Sequence, residues 1–238
     1  MTRRRWIADE YSAQSAALVG VNAAHLARTL RARVGQEFDV ACGDRVYRAT
    51  VSAVGDGRVE FALGDEVSSA SAVVPIEMLL AVFKFDRMEW AIEKCTELNV
   101  TRIVPVIARR TEKHLAQAAA KRVERWRRIA HEAAQQSRRL AAPEIADPLK
   151  LADAIQREGE ARIVLAENER GARLNEALRS HDAVGSLGLA IGPEGGWADE
   201  ELQAFSSAGW MSASLGETIL RAETAAIAAL AIARSEFP

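Results

Sequence analysis

The stretch from Leu187 to the end of the chain constrains the fold most. Two strand-like segments, Leu187-Gly188-Leu189-Ala190-Ile191 and Trp210-Met211-Ser212-Ala213-Ser214-Leu215, each run into a glycine-punctuated loop and then into a helix. The first segment is too short for a helix and reads as a fully buried strand. It is stopped by Gly192-Pro193-Glu194-Gly195-Gly196-Trp197, where glycine frees φ and proline presets a turn, so a ligand can lie against bare main chain. Asp199 is the expected N-cap of the next helix, with Glu200 and Glu201 in its first turn. The second segment ends at Gly216, and after a short loop an alanine-rich helix is predicted from about Glu223 to Arg234. That helix is apolar nearly all round, the mark of burial, so the charges at its mouth, Arg221 and Glu223, need partners or a function. A tight turn before a buried helix is the bland account of either loop. Two in tandem, closing an α/β segment, favour one shared ligand site, because ligands of open α/β sheets sit at the carboxyl ends of strands.

These loops resemble the RsmE family of SPOUT methyltransferases, whose loops read Gly-Pro-Glu-Gly-Gly and Leu-Gly-x-x-Ile-Leu-Arg-x-Glu-Thr-Ala, matched here at 192–196 and 215–225. The pair is far more specific than a lone glycine motif. The resemblance implies methylation of N3 of a uridine in 16S ribosomal RNA, with S-adenosylmethionine as methyl donor and no metal. It implies an α/β fold, a trefoil-knotted SPOUT domain, preceded by a small PUA-like β-barrel; knots are rare exceptions among folds. It also implies a cofactor site walled by Leu165, Ala166 and Glu167, by Ile191, Gly192, Pro193, Glu194 and Gly195, and by Leu215, Gly216, Ile219, Leu220 and Arg221. If bare backbone must approach the cofactor, Gly195 is the glycine expected against it. The expected partners are 16S rRNA or the assembled small ribosomal subunit, and a second copy in a homodimer.

Composition sets outer bounds. With 238 residues, 49% of them hydrophobic, the chain can bury a sizeable core. The net charge of −2 argues against a generally basic nucleic-acid coat, so RNA contact must come from local arginine patches. A GC-rich genome accounts for the arginine content equally well. Cys42 and Cys95 make no redox or metal spacing, and His25, His114, His131 and His181 do not cluster, so no zinc site is expected. There is no signal-like apolar core after the basic start and no run long enough to span a bilayer, and a cytoplasmic location is expected.

Residues 1–68 are expected to form the PUA-like, RNA-binding domain. Its strands are Phe38–Cys42, Val46–Val54 and Arg58–Leu63, with turns at Gly43-Asp44 and Gly55-Asp56-Gly57. A helix over Ala23–Arg31 is expected, capped by Asn22 and closed before Gly35. Arg3, Arg4, Arg5, Arg28, Arg31 and Arg33 supply a basic face, and the stretch from His25 through Arg31 to Gly35 resembles the family's N-terminal domain. Arg5, Arg28 and Arg31 are candidate RNA contacts; for any one of them a solvated helix face is the competing account. The polar stretch Gly64–Ser71 reads as a linker.

Residues 72–238 are expected to form the methyltransferase domain. A buried strand over Met78–Phe85 leads to a helix with a capping box of Asp86 and Glu89, inward Met88, Ala91, Ile92 and Cys95, and a left-handed stop at Asn99. Phe85 stands where the family has lysine-rich or glycine-containing sequence. Pro105 places the strand Thr101–Ile107 near an edge or at a bulge. A helix follows from about Ala116 to Gln136. Its end, Gln136-Ser137-Arg138-Arg139, resembles the family's Gln-Ser-Gly-Arg, with Arg138 in place of the glycine. A left-handed arginine there would be strained, so a different turn is expected. Arg139 is a further candidate RNA contact. Arg162–Glu167 is the next strand, and the alternation of strands and helices predicts a largely parallel sheet.

Methyl transfer from a sulfonium asks the protein to align donor and acceptor and to make the acceptor electron-rich. Uridine N3 must lose a proton, and a cation beside the base stabilises the anion. Arg221 is the candidate. It cannot be the base, so the proton passes to a carboxylate such as Glu223 or to water. An Arg221–Glu223 pair that merely fixes the loop is the competing account. No Gly-x-Gly-x-x-Gly after a strand and no Gly-Lys-Ser or Gly-Lys-Thr loop is present. Another RNA target, 2′-O-methylation, or a non-catalytic RNA-binding assembly factor stay open, although intact cofactor loops count against the last.

Overall fold

The computed structural model describes residues 5–69, 73–181 and 184–237. Arg3 and Arg4 of the expected basic face lie outside the described residues. The chain divides into two compact units, Met1–Ala72 with Ala134–Ala142, and Val73–Ala133 with Pro143–Pro238.

The first unit contains β1 (Arg5–Ile7), β2 (Glu10–Tyr11), β3 (Ser15–Val19), α1 (Gly20–Ala24) continued by a π-helical turn over His25–Thr29, β4 (Glu37–Cys42), β5 (Arg45–Gly55) and β6 (Arg58–Ser69). The strands form one sheet in the order β1-β4-β5-β6-β3-β2, antiparallel except for β1 beside β4. Its inward face buries Trp6, Leu18, Val40, Val51, Val59 and Phe61, with Leu26 packed on it. Register shifts along the β5–β6 pair at Val46, Tyr47 and Val51 bend the sheet. The result is a curled half-barrel whose end strands, β1 and β2, are not paired with each other among the described residues.

Two expectations fail here. Gly64–Ser69 is not a linker but the second half of β6, paired with β5 from Ser69↔Arg45 to Leu63↔Ala49. The bulges let the pairing run past the apolar part of the strand, which polar composition conceals; Ala70 and Ser71 lie outside the described residues. Asn22 is no N-cap, since α1 already begins at Gly20 after an extended Val19.

The second unit contains β7 (Ile76–Ala81), α2 (Phe85–Glu97), β8 (Arg102–Ile107), α3 (Lys113–Ala118), a 3₁₀ turn (Ala119–Arg122) and α4 (Val123–Gln136). Then come β9 (Glu144–Ile145), β10 (Leu149–Lys150), α5 (Leu151–Ala154), β11 (Ala161–Leu165), α6 (Leu174–Arg179), β12 (Leu187–Ile191), α7 (Asp199–Ser207), β13 (Met211–Ala213) and α8 (Ala222–Glu236). The sheet runs β10-β8-β7-β12-β11-β13, with β9 also beside β8, and every pair is parallel. β7 and β12 are central and read as near-continuous apolar runs, as strands covered on both faces do. One face packs Met78, Leu80 and Leu189 against α2, α4 and α8; the other packs Leu79, Val104 and Ala190 against Trp197, Phe205 and Trp210. No helix among the described residues is long and apolar enough to cross a membrane.

β7 ends at Ala81, not Phe85. Phe85 starts α2, with its ring 6.0 Å from that of Trp126 and the Arg122 guanidinium 4.7 Å above it. The expected capping box is absent: α2 has no side-chain cap, and Glu89 instead accepts two hydrogen bonds from Arg125, at 2.6 and 2.7 Å. Pro105 is near an edge, as expected: outside β8 lie β9 and β10, of two residues each. β8 is paired on both sides, and Pro105 falls in the gap between Ile145↔Ile103 and Leu149↔Val106, where no N–H is asked of it. Asn99 is left-handed as expected (φ 63°). Arg138 is left-handed too (φ 61°), against the expectation of a different turn; its carbonyl accepts a hydrogen bond from Arg5 Nη1 at 2.5 Å. Asp199 is the first residue of α7 rather than its cap, and Glu201 reaches back to the Ala198 N–H (2.9 Å).

Candidate active site

β12, β11 and β13 lie side by side, with Val164 opposite Ala190 and Leu165 opposite Ala213, so the loops leaving their carboxyl ends converge. They enclose a cleft of about 360 Å³, within the usual range for small-molecule sites. Every residue expected in the cofactor walls lines it except Gly195. Gly195 is not part of that lining: a Cβ there would meet the side chain of Arg110, itself a lining residue, at an ordinary 3.5 Å, and its carbonyl accepts from Arg110 Nη1 at 2.7 Å. Gly196 takes the place at the wall. Its φ is +69°, and an added Cβ would come within 2.9 Å of Glu167 Oε1.

The first loop is closed by a turn, the Gly196 N–H donating to the Pro193 carbonyl at 2.8 Å, and lies on the Trp197 ring, which is 3.2 Å from where a Gly192 Cβ would be. Buried Glu201 joins this loop to the end of β8 by also accepting the Arg109 N–H at 2.7 Å. The second loop contrasts with it. Among the described residues the main-chain groups of 215–220 make no hydrogen bond, Ile219 is 79% exposed, and Gly216 (φ +131°) has open space where a Cβ would be. Main-chain donors and acceptors without partners, facing a concave site, suit a ligand that makes those bonds. The lining mixes apolar Leu165, Ile191 and Leu220 with Glu167 and Arg221, a donor set that fits an adenosyl group bearing a cationic sulfonium and a zwitterionic tail.

Arg221 stands at the lip of the cleft as the N-cap of α8, exposed; its carbonyl accepts the Ala225 N–H at 2.8 Å, and its side chain makes no hydrogen bond or ion pair among the described residues. The alternative Arg221–Glu223 pair is therefore not formed. Glu223 is 5% exposed and is not part of the cleft lining; its Oε1 is 3.8 Å from Arg87 Nε, and its buried Oε2 has no hydrogen-bond partner.

The candidate RNA contacts all fall in the first unit, Arg139 included, because residues 134–142 cluster there. Arg31 is exposed in a left-handed turn (φ 51°) and without an ion pair among the described residues. Arg28 is exposed and bridged to Asp56 at 2.6 Å. Arg5 is half-buried; burial pulls its pKa below the usual arginine value, with Asp39 opposing. Arg139 is half-buried, its N–H donating to the Ala134 carbonyl at 2.9 Å.

Sequence reasoning missed Arg87 and Arg110, which line the cleft from the segments following β7 and β8. The available signal was position: both follow central parallel strands, whose carboxyl ends face the site.

The family of RNA methyltransferase domains matches residues 70–234, which defines the class to which this fold and cleft belong. A Synechocystis protein called ribosomal RNA small subunit methyltransferase E is 34% identical over 212 residues, covering 87% of this chain and 68% of that protein. The crystal structure of a ribosomal RNA small subunit methyltransferase E from Neisseria gonorrhoeae, bound to S-adenosyl methionine, superposes with a TM-score of 0.86 at 28% identity, covering 98% and 97% of the two chains. A putative methyltransferase of Legionella pneumophila, in complex with the same cofactor, gives 0.86 at 26% identity over 99% and 98%. The chain belongs to the ribosomal RNA small subunit methyltransferase E (RsmE) family, of S-adenosylmethionine-dependent enzymes.

Proposed function

We propose that this chain methylates N3 of a uridine in 16S rRNA, acting on the RNA or the assembled small subunit in the cytoplasm. The observation that carries the reading is the second loop, whose main-chain groups at 215–220 have no partner among the described residues, and beside it the Arg221 guanidinium at the cleft mouth, without a partner among them either. S-adenosylmethionine, when bound, supplies an electrophilic methyl group on a sulfonium. The chain's own part is to hold that group between Leu165–Glu167, Ile191–Gly196 and Leu215–Arg221, and to stabilise the N3 anion with the Arg221 guanidinium. The recess of Glu223 behind the wall favours water as the immediate proton acceptor, with the carboxylate acting at a distance. The first unit takes the RNA through Arg28 and Arg31, with Arg5 and Arg139 holding its local structure or adding contacts. The family likeness supports a trefoil knot and a homodimer. Half-buried Ile227 and Ile232 and exposed Ala231 give α8 a flank that a second copy would cover.

The test is incubation with small subunits lacking the modification, followed by nucleoside mass spectrometry. 3-Methyluridine is expected. A 2′-O-methylated nucleoside, or no product with competent subunits, overturns the reading.

A further inference from the structure

Arg87 is assigned no role by the motifs, yet from a third element it joins the first wall of the cleft to the helix that follows the second. It lies in the first turn of α2, 30% exposed at its side chain. Its Nη1 donates to Glu194 Oε1 of the first loop at 3.0 Å, while its Nε lies 3.8 Å from Glu223 Oε1, in the first turn of α8 immediately after the second loop. Glu223 is buried, and Arg87 is the cation within ion-pair distance of it among the described residues. A buried carboxylate with an unpartnered oxygen cannot drift from its cation without cost, so α8 is held where Arg87 is. Glu194 is held by the same guanidinium. Arginine suits this task because one rigid, always charged plane donates a hydrogen bond to Glu194 and stays within ion-pair distance of Glu223.

We infer that Arg87 is a positioning residue that links the two cofactor loops, so that the cleft is pre-shaped before a ligand enters. The inference rests on the methyltransferase reading for its ligand but not for its geometry. If the loops spend part of their time apart, ligand affinity falls by the fraction of time the competent arrangement is lost.

Hydrogen exchange of the ligand-free protein, compared with S-adenosylhomocysteine titration, tests this. R87M is expected to raise exchange at Gly196 and at Ala225, the amides hydrogen-bonded to the Pro193 and Arg221 carbonyls, and to weaken S-adenosylhomocysteine binding by roughly tenfold. R87K should restore most of the affinity. E194Q, which leaves the buried carboxylate paired, should loosen 192–196 alone, and its effect on affinity should not add to that of R87M. Unchanged exchange at Gly196 and Ala225 in R87M, a rise spread along the whole of α2 and α8, or additive losses overturns the inference. If the wild-type protein binds no S-adenosylhomocysteine, the functional reading fails, and the exchange arm still decides the role of Arg87.

Discussion

The two loops of the cleft solve opposite problems with similar sequences. The first, 192–196, is held by the protein itself: a turn bond from Gly196 to Pro193, Arg110 on the Gly195 carbonyl, Arg87 on Glu194 and the Trp197 ring beneath Gly192. The second, 215–220, makes no main-chain hydrogen bond among the described residues and exposes Ile219 almost fully. One loop is a finished wall and the other is a wall that a ligand completes. Glycine content alone does not distinguish them; what differs is whether neighbouring elements bring hydrogen-bond partners to the main chain.

The comparison breaks most visibly at the end of the second loop. Arg221→Ala should slow methyl transfer by about a hundredfold or more, the usual scale for removing one charge-stabilising donor, while leaving cofactor affinity nearly intact. Partial recovery at high pH, where uridine N3 ionises unaided, should accompany it. A normal rate at neutral pH would show that the free guanidinium has no electrostatic task. Next in size is Gly216→Val. A valine at φ +131° is strained, and a loop with no main-chain hydrogen bonds among the described residues can shift to relieve that strain, so calorimetry should show affinity reduced by roughly tenfold or more, equivalent to about 1.4 kcal/mol, with little change in melting temperature. In the self-held loop the pattern should invert. Gly196→Ala meets a left-handed backbone and Glu167 at 2.9 Å, and should cost about 1 kcal/mol of stability, seen as a melting temperature lower by roughly 2–4 °C. The smallest effect belongs to Gly195→Ala, whose Cβ would rest against Arg110 at an ordinary distance; its stability should stay within about 0.5 kcal/mol of wild type. A large loss of cofactor binding in that variant would mean the first loop rearranges to present Gly195.

What was legible in the sequence was local. The strand Leu187–Ile191, its Gly-Pro-Glu-Gly-Gly stop and the alanine-rich helix behind Arg221 are contiguous patterns, and the cleft walls follow from them. The inward spacing of Met88, Ala91, Ile92 and Cys95 is equally contiguous, and all four are fully buried. What escaped depends on partners distant in sequence. Glu89 looks like a capping residue until Arg125 claims it, and Gly64–Ser69 looks like a linker until β5 pairs with it. Arg87 and Arg110 reach the cleft because β7 and β8 sit beside β12 in an order that no local pattern encodes.

The central claim is that the cleft between these loops is the cofactor site and that the second loop is the part completed by the ligand. Hydrogen exchange with and without S-adenosylmethionine tests it most directly. The account predicts strong ligand protection over 215–221, with less change at Gly196, whose N–H is already bonded to the Pro193 carbonyl in the free protein. Equal protection of both loops, protection elsewhere in the chain, or no binding at millimolar cofactor would contradict it.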